Sequence, residues 1–215
     1  MVKCLQWLDF GNWRDEMSKE SYDKVNAIKW IGIITMTMDH IGYYLFPQLI
    51  WLRIIGRIAF PCFLYTTVQG TEHTRNFKKY VFQLIGTGML TIPISLYSGT
   101  TFNVLFTLAL VALSVKDKRF FGIALLLSYF CEYGIYGFLL GWSIYCMVSV
   151  NKKIGALFFL VLHLFIGSSL QIFALLALFL LLIENYSCSK KIPKVFGYLY
   201  YPLHQVILLI IKATI

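Results

Sequence analysis

The chain has 215 residues, of which 59% are hydrophobic and only 13% are charged, and its formal net charge is +9. Soluble domains are typically about 45–50% apolar with roughly a quarter of their residues charged, so this composition indicates a membrane protein. The lysines and arginines lie in short segments between apolar stretches, which argues against a nucleic-acid-binding protein. The five cysteines form no CxxC pair and are interpreted as small apolar residues, so no metal site is expected.

The N-terminal segment, residues 1–25, includes the sequence CLQWLDFGNWRDEMSKE, with tryptophan and leucine roughly on one side and charges on the other. It lacks the basic start and apolar core of a cleavable signal peptide. We predict an amphipathic helix that lies on the cytoplasmic side of a membrane interface. No long linker or internal repeat follows, so residues 26–215 are predicted to form one membrane-embedded domain.

Apolar stretches recur along the rest of the chain. They predict an all-α fold, a polytopic transmembrane helical bundle of about 8–9 spans. Several stretches are shorter than the ~20 residues of a straight crossing, so one or two are expected to be re-entrant or supported by neighbouring helices. The predicted spans lie near residues 27–46, 50–68, 79–97, 101–115, 120–131, 134–150, 153–168, 169–184 and 194–213.

The connections between these stretches alternate in charge. Residues 72–80, 116–119, 151–153 and 184–194 carry lysine or arginine, whereas the intervening connections carry neither. Because basic loops remain in the cytoplasm, this pattern predicts a multi-pass protein of the cell (inner or plasma) membrane. The N-terminus is expected to be cytoplasmic, and membrane lipids are expected partners.

The segment TMTMDHIGYYLF places Asp39 and His40 side by side in the outer half of the first predicted span. A charged side chain at the centre of a membrane helix costs roughly 2.5–3.5 kcal/mol on insertion scales, so a partner is expected. Arg53 and Arg57 are four residues apart and share one face of the next helix. A short turn brings Asp39 and Arg57 to similar depth, and we predict an ion pair. Such a pair alone is equally consistent with helix packing.

His40 adds a group that titrates near neutrality. A single membrane histidine is often a hydrogen-bonding residue between helices, but further polar residues are predicted to lie in the same half of the bundle. Several polar groups that converge in this way indicate a cavity rather than a lipid-facing surface. These residues are Asn103, Thr107, Glu132, His163 and His204.

The chain resembles the TraX family of membrane proteins, which includes the F-pilin N-acetylase. The resemblance rests on six segments in order, from about residue 26 to about residue 207: NAIKWIGIITMTMDHIGYYLFP, LRIIGRIAFPCFLY, QGTEHTRNFKKY, NVLFTLAL, EYGIYG and YYPLH. It implies acyl transfer. In distantly similar membrane acyltransferases, a basic residue and a histidine separated by ten residues are functional, which corresponds here to Lys29 and His40. Lysine replaces the usual arginine, and Gln69 replaces a frequent glutamate.

Acetyl transfer from a thioester requires a base and a donor that stabilises the oxyanion. We expect His40 to be the base and Asp39 to hold Arg57. Arg57, Asn103 or a tyrosine hydroxyl such as that of Tyr201 is expected to donate to the oxyanion or the acceptor.

His204 follows Pro202 in the last predicted helix. It is expected to bind backbone carbonyls or to align a substrate, and not to be the base.

Acetyl-CoA is the expected acetyl donor. Its phosphates favour basic side chains, and the candidates are Lys29, Arg53, Arg75 and Lys78. The expected acceptor is an amine, in particular a peptide or protein N-terminus, or a hydroxyl. An acetyl-histidine intermediate and direct transfer both stay open, and so does the side from which CoA enters. The alternative functions are a non-catalytic membrane assembly factor for a surface structure and a proton-coupled transporter.

Overall fold

A computed structural model describes residues 19–97, 99, 102–165, 170–183, 188 and 192–214. The described residues form α-helices joined by short turns, with 3₁₀ turns at Lys118–Phe120 and Gln171–Ala174 and a π turn at Cys146–Val150. The helices are α1 (Lys19–Tyr44), α2 (Ile50–Gly56), α3 (Ala59–His73), α4 (Phe77–Leu90), α5 (Ile92–Tyr97), α6 (Val104–Lys116), α7 (Phe121–Ser128), α8 (Gly134–Tyr145), α9 (Lys152–Phe165), α10 (Leu175–Leu182) and α11 (Lys194–Thr214).

The all-α class is confirmed, but the predicted polytopic transmembrane bundle of about 8–9 spans is wrong, because a straight crossing needs ~20 consecutive apolar residues. Within the described ranges, no helix combines the length and the apolar character that a membrane crossing requires. The two longest helices, α1 with 26 residues and α11 with 21, interrupt their apolar residues with charged and polar ones. Of the predicted interfacial helix at 1–25, residues 1–18 lie outside the described part, and α1 already begins at Lys19.

Proline explains why two of the predicted spans are divided. The stretch 50–68 is split into α2 and α3, and the stretch 79–97 is split into α4 and α5. A proline lacks the N–H that an α-helix needs, and its ring clashes with the carbonyl four residues earlier. For Pro61 that carbonyl belongs to Arg57, at the break between α2 and α3. For Pro93 it belongs to Met89, one residue before the end of α4.

The core lies where α1, α3, α6 and α8 meet. Its fully buried side chains include Ile28, Leu64, Val111 and Phe138. Gly141 on α8 faces α6 so closely that an added Cβ would lie 2.6 Å from a methyl group of Val111. This close packing fixes the relative positions of the helices that carry the polar residues.

Two glycines allow α1 and α2 to approach each other closely. An added Cβ on Gly42 would lie 2.8 Å from the Cβ of Leu52. An added Cβ on Gly56 would overlap the side chain of Asp39. The short turn after α1 therefore brings Asp39 directly beneath α2, next to Arg53 and Arg57.

Candidate functional site

Two arginines bind the carboxylate of Asp39. Nη2 of Arg57 donates to both carboxylate oxygens at 2.6 Å. Nη1 of Arg53 lies 3.1 Å from Oδ2 and donates to the backbone carbonyl of Asp39 at 3.3 Å. The expected Asp39–Arg57 pair is present, and Arg53 completes a buried Arg–Asp–Arg cluster with a net charge of +1.

This cluster is largely shielded from solvent. Asp39 is 9% exposed and Arg57 is 8% exposed. The guanidinium of Arg53 lies 5.0 Å from the ring centroid of Tyr43, which is within range of a cation–π contact. Because charges interact more strongly away from water, the excess positive charge favours an anion or a developing oxyanion nearby.

His40 and His204 form a hydrogen-bonded pair between α1 and α11. Nδ1 of His40 lies 2.7 Å from Nε2 of His204, and Nδ1 of His204 lies 2.6 Å from the carbonyl oxygen of Tyr200. A carbonyl oxygen only accepts, so Nδ1 of His204 carries its proton. In a neutral ring Nε2 of His204 then accepts, so Nδ1 of His40 donates. This leaves the lone pair of His40 on Nε2.

Burial keeps both rings neutral. Desolvation, together with electrostatic interactions with His204, Arg53 and Arg57, lowers the pKa of His40 from 6.5 to about 3. Desolvation also lowers the pKa of His204. Both imidazoles are therefore uncharged at neutral pH, as the tautomer assignment requires.

Tyr200 holds α11 against α1 at this level. Its ring stacks on that of His204 with centroids 5.0 Å apart and an interplanar angle of 8°. Its hydroxyl lies 2.6 Å from the hydroxyl oxygen of Thr37 on α1. These contacts fix the orientation of His204 and, through it, that of His40.

A cavity of about 380 Å³ lies beside the Arg–Asp–Arg cluster and the histidine pair. Predicted site residues line it on several sides: Asp39, His40, Arg53, Arg57, Glu132 and Tyr201. Its volume is in the range of small-molecule sites. The structure therefore brings all three sequence-predicted catalytic residues, Asp39, His40 and Arg57, to one cavity.

Glu132 faces the same cavity from the turn before α8. Its carboxylate accepts a hydrogen bond from the backbone N–H of Val104 at 3.0 Å, and burial raises its pKa. The next residue, Tyr133, has a left-handed backbone with φ of 65°, and its ring stacks on Phe60 with centroids 3.9 Å apart. The turn thus presents a carboxyl group and a tyrosine to the cavity.

Asn103 and Thr107 support the site from outside the cavity lining. The Asn103 amide donates to the Gly88 carbonyl at 2.8 Å and to the Thr91 hydroxyl at 2.6 Å. Its side-chain oxygen caps α6 by accepting from the N–H of Leu105. The Thr107 hydroxyl donates to the carbonyl of Glu132 at 2.6 Å. Because these groups are engaged with the protein, Asn103 is not placed to donate to an oxyanion.

The predicted CoA-binding residues are divided between two places. Arg53 lines the larger cavity, whereas Lys29 lines a second cavity of about 170 Å³. Arg75 and Lys78 line neither cavity, and Lys79, one residue further along α4, lines the second one. Side chains one position apart on a helix point about 100° apart, so Lys79 reaches this cavity and Lys78 does not.

His163 lies apart from the site. Nδ1 donates to the Phe159 carbonyl at 2.8 Å, and Nε2 accepts from the Tyr136 hydroxyl at 2.9 Å. Both ring nitrogens are occupied by the protein, so this histidine is a core residue. In the described part of the chain, no group of three His, Cys, Asp or Glu side chains is suited to hold a metal ion.

Sequence reasoning missed several lining residues, namely Tyr133, Gln171 and Gln205. Gln205 follows His204 directly and Tyr133 follows Glu132, so both adjoin residues that were predicted. Gln171 lies in a short 3₁₀ turn between α9 and α10, and its sequence carries no signal for the site.

The fold and the cavity define a helical protein with a neutral histidine pair beside a buried Arg–Asp–Arg cluster. The family model described as TraX protein matches residues 24–212, and the chain belongs to this family. No solved structure matches it significantly.

Two curated relatives match parts of the chain. One, named as an uncharacterized protein of Rickettsia prowazekii (strain Madrid E), is 52% identical over 40 residues, which cover 19% of this chain and 16% of the relative. The other is named as probable fimbrial assembly protein FimC, serogroup H1, of Dichelobacter nodosus. It is 31% identical over 139 residues, which cover 51% of this chain and 56% of the relative. The chain thus spans little more than half the length of these relatives at most.

Proposed function

We propose that the protein is an acetyltransferase that moves an acetyl group from acetyl-CoA to an amine or hydroxyl acceptor. The observation that carries this proposal is the hydrogen-bonded chain from the Tyr200 carbonyl through His204 to His40, which leaves Nε2 of His40 unprotonated and able to accept a proton. His40 lines a cavity shared with the Arg–Asp–Arg cluster. Base and oxyanion stabiliser are the two groups that acyl transfer requires.

In this proposal Nε2 of His40 accepts a proton from the acceptor as its nitrogen or oxygen attacks the thioester carbonyl. Arg57 and Arg53 stabilise the negative charge on the carbonyl oxygen. As the C–S bond breaks, the His40 imidazolium returns the proton to the departing thiolate. The net reaction transfers the acetyl group from the sulfur of CoA to the acceptor, and His40 returns to its neutral form.

His204 is a positioning residue in this mechanism. It accepts a hydrogen bond from Nδ1–H of His40 and is itself fixed by the Tyr200 carbonyl. This arrangement keeps the His40 proton on Nδ1 and so leaves the lone pair on Nε2. His204 therefore acts through His40 and does not abstract the proton itself.

We also propose that the outer surface contacts membrane lipids. Large apolar side chains are exposed on several helices, including Phe82 at 77%, Leu126 at 71%, Phe165 at 82% and Phe179 at 70%. Apolar surface of this kind marks an interaction site. These side chains belong to four helices, α4, α7, α9 and α10, and their exposed apolar area supports contact with lipid.

Flotation with phospholipid vesicles tests the lipid proposal. Purified protein mixed with phosphatidylethanolamine and phosphatidylglycerol vesicles is expected to float with them in a density gradient. Protein that stays at the bottom of the gradient would contradict lipid contact. The cytoplasmic location of the N-terminus stays a prediction.

The acceptor proposed here is the N-terminus of a surface-structure protein. The name of the Dichelobacter nodosus relative refers to fimbrial assembly, and this supports an acceptor in a fimbria-like structure. The same name favours a second candidate function, a non-catalytic assembly factor that uses the polar cluster only for packing.

Radiolabelled acetyl-CoA separates these two functions. Purified protein is incubated with labelled donor and a membrane lysate, and the transfer of label to protein is measured. The enzyme transfers label and releases CoA, whereas an assembly factor does neither. Absence of both label transfer and CoA release would contradict the acetyltransferase proposal.

A further inference from the structure

An amine acceptor must lose two protons in the proposed reaction. The amine of a peptide N-terminus has a pKa of about 7.7–8.0, so at neutral pH it is mostly an ammonium ion. An ammonium ion has no lone pair, so it must lose one proton before it attacks the thioester and a second as the amide forms. His40 accepts the second proton and returns it to the departing thiolate. A further group must therefore accept the first.

Two carboxylates line the larger cavity, those of Asp39 and Glu132. Both oxygens of Asp39 are bound by arginine. In the described part of the chain, Glu132 forms no ion pair, and its Oε2 accepts from the backbone N–H of Val104 at 3.0 Å. Glu132 is also partly exposed, so its carboxylate can contact a molecule in the cavity.

Backbone contacts hold Glu132 in place beside the start of α6. Its N–H donates to the carbonyl of Phe102 at 2.8 Å, and its carbonyl accepts from the hydroxyl of Thr107 at 2.6 Å. The next two residues, Tyr133 and Gly134, have left-handed backbones with φ of 65° and 52°. For a tyrosine this conformation is strained, and such strain is concentrated at functional sites. The turn therefore fixes the carboxylate at the cavity.

The charges beside the cavity suit an ammonium ion only when Glu132 is ionised. Arg53, Arg57 and Asp39 carry a net charge of +1, which repels a cation, and an ionised Glu132 brings the total to zero. Because burial disfavours charged groups, transfer of the ammonium proton to Glu132 is favoured, since it leaves both partners neutral. The charge of +1 is then restored for the oxyanion. Burial also raises the pKa of Glu132 towards neutrality, where a base works best.

We propose that Glu132 binds the ammonium group of the acceptor and accepts its first proton. An N–H bond breaks, its electron pair stays on nitrogen, and the proton forms an O–H bond with Glu132. The neutral amine then attacks the thioester carbonyl while His40 accepts the second proton. Glu132 releases its proton to water after the product leaves, so the reaction yields an amide, the CoA thiol and one proton. This inference rests on the proposed acetyl transfer.

Two synthetic peptides test the role of Glu132 in the purified full chain. One begins with glycine, and the other carries aminooxyacetic acid in its place, whose less basic nitrogen is uncharged at pH 7. Glu132→Gln keeps an oxygen for the N–H of Val104 but cannot accept a proton. At pH 7 it is expected to lose about 10²-fold in kcat/KM for the glycine peptide, the low end for a positioned base. Its kcat/KM for the aminooxy peptide is expected to stay unchanged.

Glu72→Gln is the matched control. The Glu72 carboxylate also accepts a hydrogen bond, from the hydroxyl of Ser149 at 2.6 Å, but it lines neither cavity. This variant is expected to acetylate both peptides as the wild type does. If Glu132→Gln does not fold, Glu132→Asp withdraws the carboxylate by one methylene. It is expected to show a smaller loss that is again confined to the glycine peptide.

The outcomes separate this inference from the proposed function. If the Glu132 variants lose equally with both peptides, or with neither, the role of Glu132 is wrong and acetyl transfer stands. A wild type that labels the aminooxy peptide or the membrane lysate but not the glycine peptide would also overturn the inference, because the inferred site requires only an ammonium group. A wild type that labels none of the three acceptors would contradict the proposed function itself.

Discussion

The buried histidines His204 and His163 make the same first hydrogen bond and differ in the second. Each donates from Nδ1 to the carbonyl four residues earlier on its own helix, at 2.6 Å to Tyr200 and 2.8 Å to Phe159. Nε2 of His163 accepts from a tyrosine hydroxyl, which closes the network inside the core. Nε2 of His204 accepts from His40, whose own Nε2 stays available beside a cavity.

The comparison shows that burial alone does not distinguish a core histidine from a candidate base. What distinguishes them is where the chain of hydrogen bonds ends. The Tyr136 hydroxyl ends one network with a group that does not titrate near neutrality. A second imidazole extends the other network to Nε2 of His40, which carries a lone pair and lies beside the cavity.

The largest effect is expected when glutamine replaces His40, at the end of the His204 network, and the comparison variant replaces His163. His40→Gln is expected to lose about 10²- to 10⁴-fold in acetyl-transfer rate, the usual contribution of a positioned base. His163→Gln is expected to keep the turnover rate of the folded fraction. Initial rates at saturating acetyl-CoA, normalised to folded protein, measure both. Equal losses in the two variants would remove the distinction between the two networks.

Arg57→Met tests the charge cluster beside the histidine pair. The variant leaves Asp39 with Arg53 as its remaining partner. It is expected to cost about 3 kcal/mol of folding free energy, the low end for a broken buried pair, because Arg53 still contacts Asp39. Denaturant unfolding measures this loss.

The double variant Asp39→Asn/Arg57→Met is expected to recover stability but not activity. Full acetyl-transfer activity in the double variant would reduce the cluster to a packing role.

His204→Leu sharpens the comparison by removing the hydrogen bond that positions His40, together with the contacts of His204 to Tyr200. Losing one hydrogen bond is expected to lower kcat up to about tenfold. His204→Gln offers a side-chain oxygen that accepts from Nδ1–H of His40 and is expected to recover part of the loss. A purely structural role predicts reduced stability in both variants and no such recovery of kcat.

Asn103→Ala tests whether Asn103 supports the structure around the site without taking part in the reaction. The variant removes the cap of α6 together with the two bonds to Gly88 and Thr91. It is expected to lower stability by about 1 kcal/mol, as the loss of a helix cap does, with kcat unchanged. Thermal unfolding and initial rates measure the two effects. A loss of kcat in a fully folded variant would return Asn103 to the active site.

At neutral pH the smallest expected effect concerns the protonation of His40, which changes stability only in acid. The pKa of His40 is lowered from 6.5 to about 3. Between these values the unfolded chain binds a proton that the folded chain does not, so the free energy of unfolding decreases as the pH falls below 6.5. His40→Gln removes this contribution and is expected to show a shallower decrease. An identical pH dependence of unfolding in wild type and variant would contradict a neutral, buried His40.

Local parts of the site could be predicted from sequence. Asp39 and Arg57 flank one short turn, and the four-residue spacing of Arg53 and Arg57 puts both on one face. The short turn between α1 and α2, with the close approach at Gly42 and Gly56, determines the ion pair. The bond between His40 and His204 could not be predicted, because it joins residues 164 positions apart and depends on how α11 packs on α1.

The transmembrane prediction failed because apolar stretches were counted as single spans although prolines and polar residues interrupt them. Pro61 and Pro93 were visible in the sequence, and each divides a stretch that was taken as one span. Whether Lys78 or Lys79 lines the second cavity depends on the rotation of α4 about its axis. Packing determines this rotation, and composition does not reveal it.

The central claim is that His40 is neutral and carries its proton on Nδ1. Nitrogen-15 NMR of the histidine-labelled chain at neutral pH tests it most directly, with His40→Gln to assign the signal and His163 as the internal reference. The account predicts the Nδ1–H tautomer for His40, with a bare Nε2, and the same tautomer for His163. An imidazolium or an Nε2–H tautomer at His40 would contradict it.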